Sequence, residues 1–320
     1  MLRRMLAAMS RAAWILAVAL LAATCGDDGG AGPEASARAD GPDWAAQFEA
    51  DPTAALLRAV AQDHEEARRA FGPHRLHTTA EFDLGPTTPI DDNVAPPIDE
   101  PVVGVQHVHD EVSLRWASDG TPGHVALQLE QHNDAGRGRD VIVVDDRVYE
   151  RPAERSWVTY PLESPLWQRW ADDAWAAARG IVEFAGPQLA ATAAPVPGGG
   201  WNGGDAVELT LSRAASLDDE RRLQGPTRDW RADVSLEAIG GTVRIDAATG
   251  LWLQADVSVD FSVPGADGRR QAGHLVVSGR VEPDSGAAPA PPPTAEPLPE
   301  RPRLDAEARA LLQGLAAPAP

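Results

Sequence analysis

Between Gly241 and Val281 the chain reads GTVRIDAATGLWLQADVSVDFSVPGADGRRQAGHLVVSGRV, and its apolar residues fall on every second position. Val243 and Ile245 are followed by Leu251, Leu253, Ala255, Val257, Val259, Phe261 and Val263, with Arg244, Asp246, Gln254, Asp256, Ser258, Asp260 and Ser262 between them. Side chains of a strand point alternately to its two faces, so this spacing predicts a long strand with one dry and one wet side. Ala-Ala-Thr-Gly at 247–250 and Pro-Gly-Ala-Asp-Gly at 264–268 supply the turns on either side of it. In the returning strand Leu275, Val277 and Val281 are dry, and His274, Ser278 and Arg280 are wet. The pattern predicts an antiparallel meander solvated on one side, whose dry face covers something apolar.

The same code recurs upstream. Trp44, Phe48, Leu56, Leu57 and Val60 have helical spacing and predict one or two short helices running to Phe71, with Asp51-Pro52 opening the second and Gly72-Pro73 stopping the run. Leu76 to Leu84 reads as a first strand, and the proline-rich stretch from Pro86 to Pro101 as loop. From Val102 to Ala117, Val108, Val112, Leu114 and Trp116 share one face, and His107, His109, Glu111, Ser113 and Arg115 the other. Val125, Leu127 and Leu129 face inward on the next strand. Asp140 to Glu150 reads as two strands around an Asp145-Asp146 turn, and Trp157 to Leu162 as another strand.

Ser164 as N-cap and Pro165 at the first helical position then open a helix whose stripe holds Leu166, Trp167, Trp170, Ala174, Ala178, Ile181 and Val182. Ala190 to Gly204 is rich in Ala, Pro and Gly and reads as loop. Strands resume at Val207, Leu209 and Leu211, and again from Trp230 to Leu236. Beyond the meander, residues 283–302 read as an extended Pro-rich linker, and 303–320 as a short amphipathic helix with a tail.

The first residues change the picture of where this body works. Three arginines precede an apolar run from Ala12 to Ala23, the layout of a secretory leader, and the run is shorter than the ~20 residues a membrane span needs. Ala22, Ala23 and Thr24 lead into Cys25, the only cysteine, in the manner of a bacterial lipobox. Residues 1–24 are therefore expected to be a signal peptide, Cys25 the site of lipid (palmitate-type) attachment, 25–42 a flexible tether and 43–282 the folded domain. The expected location is the bacterial cell envelope, with the protein lipid-anchored to a membrane and facing the periplasm or the exterior. A lone thiol taken up by a lipid leaves no disulfide, so the fold must hold by core burial. The net charge of −20, more acidic still once the leader arginines are lost, makes a surface that repels nucleic acid and anionic lipid headgroups, so neither is an expected electrostatic partner of that surface.

Candidate chemistry is sparse. No Walker-type glycine loop, GxSxG elbow, HExxH or CxxC occurs, so no catalytic residue, cofactor or metal is assigned and no enzyme activity is expected. His107 and His109 project from one strand face with Glu111, and His124 follows in the chain; that spacing can chelate zinc or copper, but the face reads as solvated. Acidic pairs such as Asp91-Asp92 and Asp172-Asp173 lack the order of a calcium loop and read as surface charge. Trp167, Trp170 and Trp175 could form a carbohydrate platform, or the helix face that seats on a sheet.

Two segments, VIVVDDRVYERPAERSWVTYPL and GGTVRIDAATGLWLQADVSVDFS, resemble those of the LolA/LppX/LprG-like lipoprotein-carrier superfamily: a valine-rich strand with an acidic turn and a Tyr, a Trp-containing strand, and later a Val-Ile-Asp hairpin with Thr-Gly and Leu. The resemblance implies an α+β fold, a curved antiparallel half-barrel with helices covering its concave side, and a lipid or acyl chain bound between. The expected apolar lining is Val112, Leu114, Trp116, Leu251, Leu253, Val257, Val259, Phe261, Leu275 and Val277 from the sheet, facing Trp167, Trp170, Ile181 and Val182. The alternative is a sensor or scaffold lipoprotein, in which the same residues fill a dry core and protein partners bind elsewhere.

Overall fold

A computed structural model describes residues 42–62, 71–88, 106–118, 125–153, 155–162, 166–176, 180–182, 185–216, 234–264 and 270–298. The expected leader, Cys25, the tether up to residue 41, residues 89–101 of the proline-rich loop and 102–105 at the start of the strand read from Val102, Ser164, His124, Trp230 and the C-terminal helix lie outside these residues. Three helices are described, α1 (Trp44–Ala50), α2 (Pro52–Val60) and α3 (Leu166–Trp175). The strands are β1 (His74–Thr88), β2 (Gln106–Trp116), β3 (Leu127–Asn133), β4 (Gly138–Val144), β5 (Arg147–Pro152), β6 (Val158–Pro161), β7 (Leu189–Val196), β8 (Ala206–Arg213), β9 (Ser235–Asp246), β10 (Trp252–Pro264), β11 (Arg270–Pro283) and the short β12 (Glu296–Pro297).

All twelve strands form one open sheet in the order β12-β6-β5-β4-β3-β2-β1-β11-β10-β9-β8-β7. The chain starts in the middle with β1, steps outward to β6, crosses through α3 to the far edge at β7, and steps back until β11 pairs with β1. Every pairing is antiparallel except that of β12 with β6. Each local step follows from the sequence. Asp43 and Asp51 cap α1 and α2 by accepting from Ala46 N and Ala54 N, both at 3.0 Å, and Pro52 occupies the first turn, where no N–H is needed. Asp145 and Asp146 take φ of 53° and 59°, the doubly left-handed turn whose twist matches a tight hairpin, and join β4 to β5.

Four details depart from the sequence reading. Strand β1 runs on to Thr88, so residues 86–88 are strand rather than loop, and a register shift between Leu84 and Thr87 accommodates Pro86, which has no N–H to give. Residues 189–196 form the edge strand β7 rather than loop; its side chains are small and it pairs only with β8, so nothing in its own pattern announces a strand. Alternation counted from Leu251 turns Trp252 outward, but a register shift between Trp252 and Gln254 places Trp252 opposite Ile245 and buries it. Helix α3 ends at Trp175, and helical backbone reappears at 180–182.

An open sheet leaves two edges that invite foreign strands. At β7 the N–H of Ala191 turns away from β8 to donate to Thr53 Oγ1 of α2 (3.0 Å), and Pro195, on the same side, has no N–H. At the other edge the chain's own tail covers β6: Glu296 N donates to Trp157 O (3.0 Å) and Leu298 N to Thr159 O (2.9 Å). The tail is fastened where it leaves β11. Asp284, its side chain 2% exposed, accepts from Arg75 Nε at 2.8 Å and from Arg115 Nε, and Arg115 also donates to the Ala287 carbonyl. Residues 284–298 of the stretch read as a linker thus lie against the sheet.

Candidate functional site

The dry face runs across the sheet in registered rows. One row joins Val281, Leu76, Leu114, Leu129 and Val141 from β11 through β1, β2 and β3 to β4. Another joins Ile239, Val259, Leu275 and Phe82 from β9 to β1. Gly273 sits opposite Phe261 because a Cβ there would lie 2.2 Å from the Phe261 ring. Of the expected lining residues, Val112, Leu114, Leu251, Leu253, Val257, Val259, Phe261, Leu275 and Val277 on the sheet, and Trp167, Ile181 and Val182 opposite, are buried in one hydrophobic cluster. Trp116 and Trp170 pack against that cluster with part of their surface open. Each buried aliphatic or aromatic side chain contributes roughly 1.5–3 kcal/mol relative to exposure.

The helices meet this face at the end where β9 turns into β10. Asp246, 2% exposed, holds that turn: its Oδ2 accepts from Thr249 N (2.9 Å) and Thr249 Oγ1 (2.7 Å), and its Oδ1 from Trp201 N (2.8 Å). Gly250, at φ 72°, lets the Trp44 indole of α1 close directly on the turn, since a Cβ would lie 2.2 Å from that ring. Trp175, the last residue of α3, has no exposed surface and sits among Phe71 (ring centroids 5.8 Å apart), His74 (5.3 Å) and Trp252 (5.6 Å). Phe71 in turn stacks on Trp201 at 4.2 Å. The indole N–H of Trp252 donates to Trp175 O at 3.2 Å. Between these groups lies a cavity of about 10 Å³, lined by Ala59, Val60, Trp175, Ile245, Gly250, Leu251 and Trp252. That is roughly the room one water needs, so aromatic rings occupy the space at this end.

Towards β4 and β5 the same face turns polar. Arg139 follows Val112 and Gln131 in one registered row, and the Trp170 ring of α3 lies over its guanidinium at 4.8 Å. Tyr160 donates to Glu150 at 3.2 Å, and its phenol is pushed above its ordinary range by burial first and by the Glu150 charge second. Asp110, buried opposite Asn133, is raised because burial disfavours its charged form more than the Asn133 hydrogen bond favours it.

The wet face carries histidines, each beside a carboxylate. His107 meets Asp83 at 2.7 Å, His109 Glu81 at 3.4 Å, His132 Asp140 at 2.9 Å and His274 Asp260 at 2.6 Å. Glu111 lies 3.9 Å from His77 rather than beside His107 or His109. The hydrogen bond that the His107 ring donates to the Asp83 carboxylate raises the His107 pKa, against a smaller desolvation effect. Among the described residues no group of three or more His, Cys, Asp or Glu side chains is placed to hold a metal ion. Among them, too, no helix is long and apolar enough to cross a membrane.

The chain matches no protein-family model and no curated protein. Alternation places Asp246 on the wet side, but it is buried because the strand ends there and its carboxylate turns in to accept from Thr249 and Trp201, and alternation misses Trp252 because of the bulge. Arg139 is missed as well, because the strand reads as starting at Asp140; the signal lies in GRDVIVV, where Arg139 falls in step with Val141 and Val143 as a cation on the dry side.

Proposed function

We propose that the chain is an envelope lipoprotein, held to a membrane through acylated Cys25, that binds a lipid or other apolar molecule between a curved, half-barrel sheet and helices covering its concave side. The observation that carries this reading is one apolar face shared by strands from β8 to β5, on which α1, α2 and α3 pack by side chains rather than by ladder hydrogen bonds. Helix α3 is seated by ring contacts and by the Trp252–Trp175 bond. It can lift while the strand ladders stay intact. An acyl chain entering beneath it would exchange ring contacts for alkyl contacts at little net loss of burial. The resemblance to the lipoprotein-carrier superfamily supports the same reading, and the reading assigns no covalent chemistry, cofactor or metal.

The cavity of about 10 Å³ favours a second reading, a sensor or scaffold lipoprotein with a permanently filled core and protein partners bound elsewhere. Native mass spectrometry of the full-length Cys25→Ser protein, exported and purified without detergent, separates the two. The carrier reading expects added mass that organic solvent extracts as lipid; bare protein in every preparation favours the scaffold. Radiolabelled fatty acid should enter the wild-type chain and not the Cys25→Ser variant, and label in neither would overturn the anchor.

A further inference from the structure

We propose that Arg139 is the anchor for the acidic head of an amphiphilic ligand, so that the molecule carried is a lipid with a carboxylate or phosphate head rather than a neutral one. The inference rests on the carrier reading above and goes beyond it in naming the ligand's charge.

Arg139 occupies the row Thr78, Val112, Gln131, Arg139 where the apolar face gives way to polar side chains, two residues from buried Val141 on the same side. Its Nε–H is buried and has no acceptor. A buried donor left without a partner costs stability, and native proteins keep such groups where an ion, a water or a ligand completes them. The nearby acids are engaged elsewhere: Glu150 accepts from Tyr160, and Asp110 is hydrogen-bonded to Asn133. On β4 itself the next residue, Asp140, serves Arg151 and His132 on the opposite face. No carboxylate among the described residues lies within ion-pair reach of Arg139, whereas Arg151, Arg244, Arg75 and Arg115 each have one. What the guanidinium does have is the Trp170 ring at 4.8 Å, an attraction that leaves its in-plane N–H donors free.

A planar fork of donors roofed by an aromatic ring is suited to a carboxylate or phosphate oxygen pair, and burial of its Nε–H strengthens the contact made there. Val112, Val141 and Leu129, beside Arg139 on the same face, would then receive the first methylenes of the chain. The site offers a donor without an acceptor. Its missing partner is an oxyanion with an alkyl tail.

The test measures equilibrium binding of radiolabelled oleate and of methyl oleate to the full-length Cys25→Ser chain. The proposal expects oleate to bind at least about tenfold more tightly than the ester, an Arg139→Gln variant to lose that preference while keeping its affinity for the ester, and Arg139→Lys to retain part of it. Oleyl phosphate should compete with oleate, and inorganic phosphate should not. Equal affinity of the unsubstituted site for acid and ester overturns the proposal and leaves the carrier reading standing, and this comparison needs no substitution at Arg139 to fold. Preference retained in Arg139→Gln, or displacement of oleate by inorganic phosphate alone, also overturns it. Binding of neither oleate nor its ester removes both the proposal and the carrier reading.

Discussion

The indole N–H of Trp252 on β10 donates to the main-chain carbonyl of Trp175 at the end of α3, 3.2 Å away, and the two rings meet edge to face with centroids 5.6 Å apart. One residue thus ties a helix end to the sheet by both a hydrogen bond and a ring contact. Trp252→Phe removes the donor and keeps most of the ring, and should cost about 1 kcal/mol in urea unfolding. Trp175→Ala empties a fully buried site and should cost about 3–5 kcal/mol. Equal costs would mean that ring packing does not seat α3.

The two faces of β10 make opposite predictions at adjacent positions. Val257 and Phe261 are 3% and 1% exposed, so an aspartate at either would be an unpaired buried carboxylate costing several kcal/mol. Ser258 lies on the wet face, exposed, and Ser258→Asp should stay within about 0.5 kcal/mol. Thermal melts of the three variants read this directly, and a Ser258→Asp loss as large as the others would refute the face assignment.

The tail is a pH-dependent fastening. Burial alone would raise the Asp284 carboxyl, but the Arg115 hydrogen bond, the Gly286 N–H and the Arg115 and Arg75 charges outweigh it and hold the pKa below the ordinary carboxylate value. A lowered folded pKa means that the contribution is complete above the unfolded value near ~4 and is lost as pH falls through the folded one. Asp284→Asn should therefore weaken the tail at pH 7, by about 2 kcal/mol, and change little in strong acid. Truncation after Pro293 leaves the Trp157 and Thr159 carbonyls of the β6 edge without their partners, and self-association in sedimentation should rise above that of the full chain. Identical sedimentation would mean that the tail does not guard this edge.

On the wet face His107 should titrate above the ordinary ~6.5 in proton NMR, because Asp83 hydrogen-bonds its charged form. Its raised folded pKa makes the pairing with Asp83 fully present below the unfolded value and lost as pH rises through the folded one. Asp83→Asn should bring the titration back down. An unchanged midpoint in that variant would show that Asp83 is not the cause.

Much of the sheet was legible because alternation is a direct consequence of strand geometry. Val257 to Phe261, Leu275 to Val281 and Val112 to Trp116 declared their dry faces, and Asp51-Pro52 declared a helix start. The rest depended on partners far along the chain. Nothing in Leu189 to Val196 shows that β8 would pair with it, the inward turn of Trp252 needs the bulge against β9, and the hold of Asp284 needs Arg75 and Arg115. The site was half legible for the same reason: periodicity names the residues that share a face, while the ring packing of Phe71, Trp175, Trp201 and Trp252 arises only when four separate segments meet.

The central claim is that an acyl chain can take its place between α3 and the sheet. Stearate brominated along its chain quenches tryptophan fluorescence only on contact, and Trp167, Trp170 and Trp175 all lie on α3. Titrated into the full-length Cys25→Ser chain, it should quench saturably at one molecule per chain, with unbrominated stearate competing and the far-ultraviolet dichroism of the sheet unchanged. Fluorescence that stays constant, or falls only in proportion to added fatty acid without saturation or competition, would contradict the account and leave a filled core beneath α3.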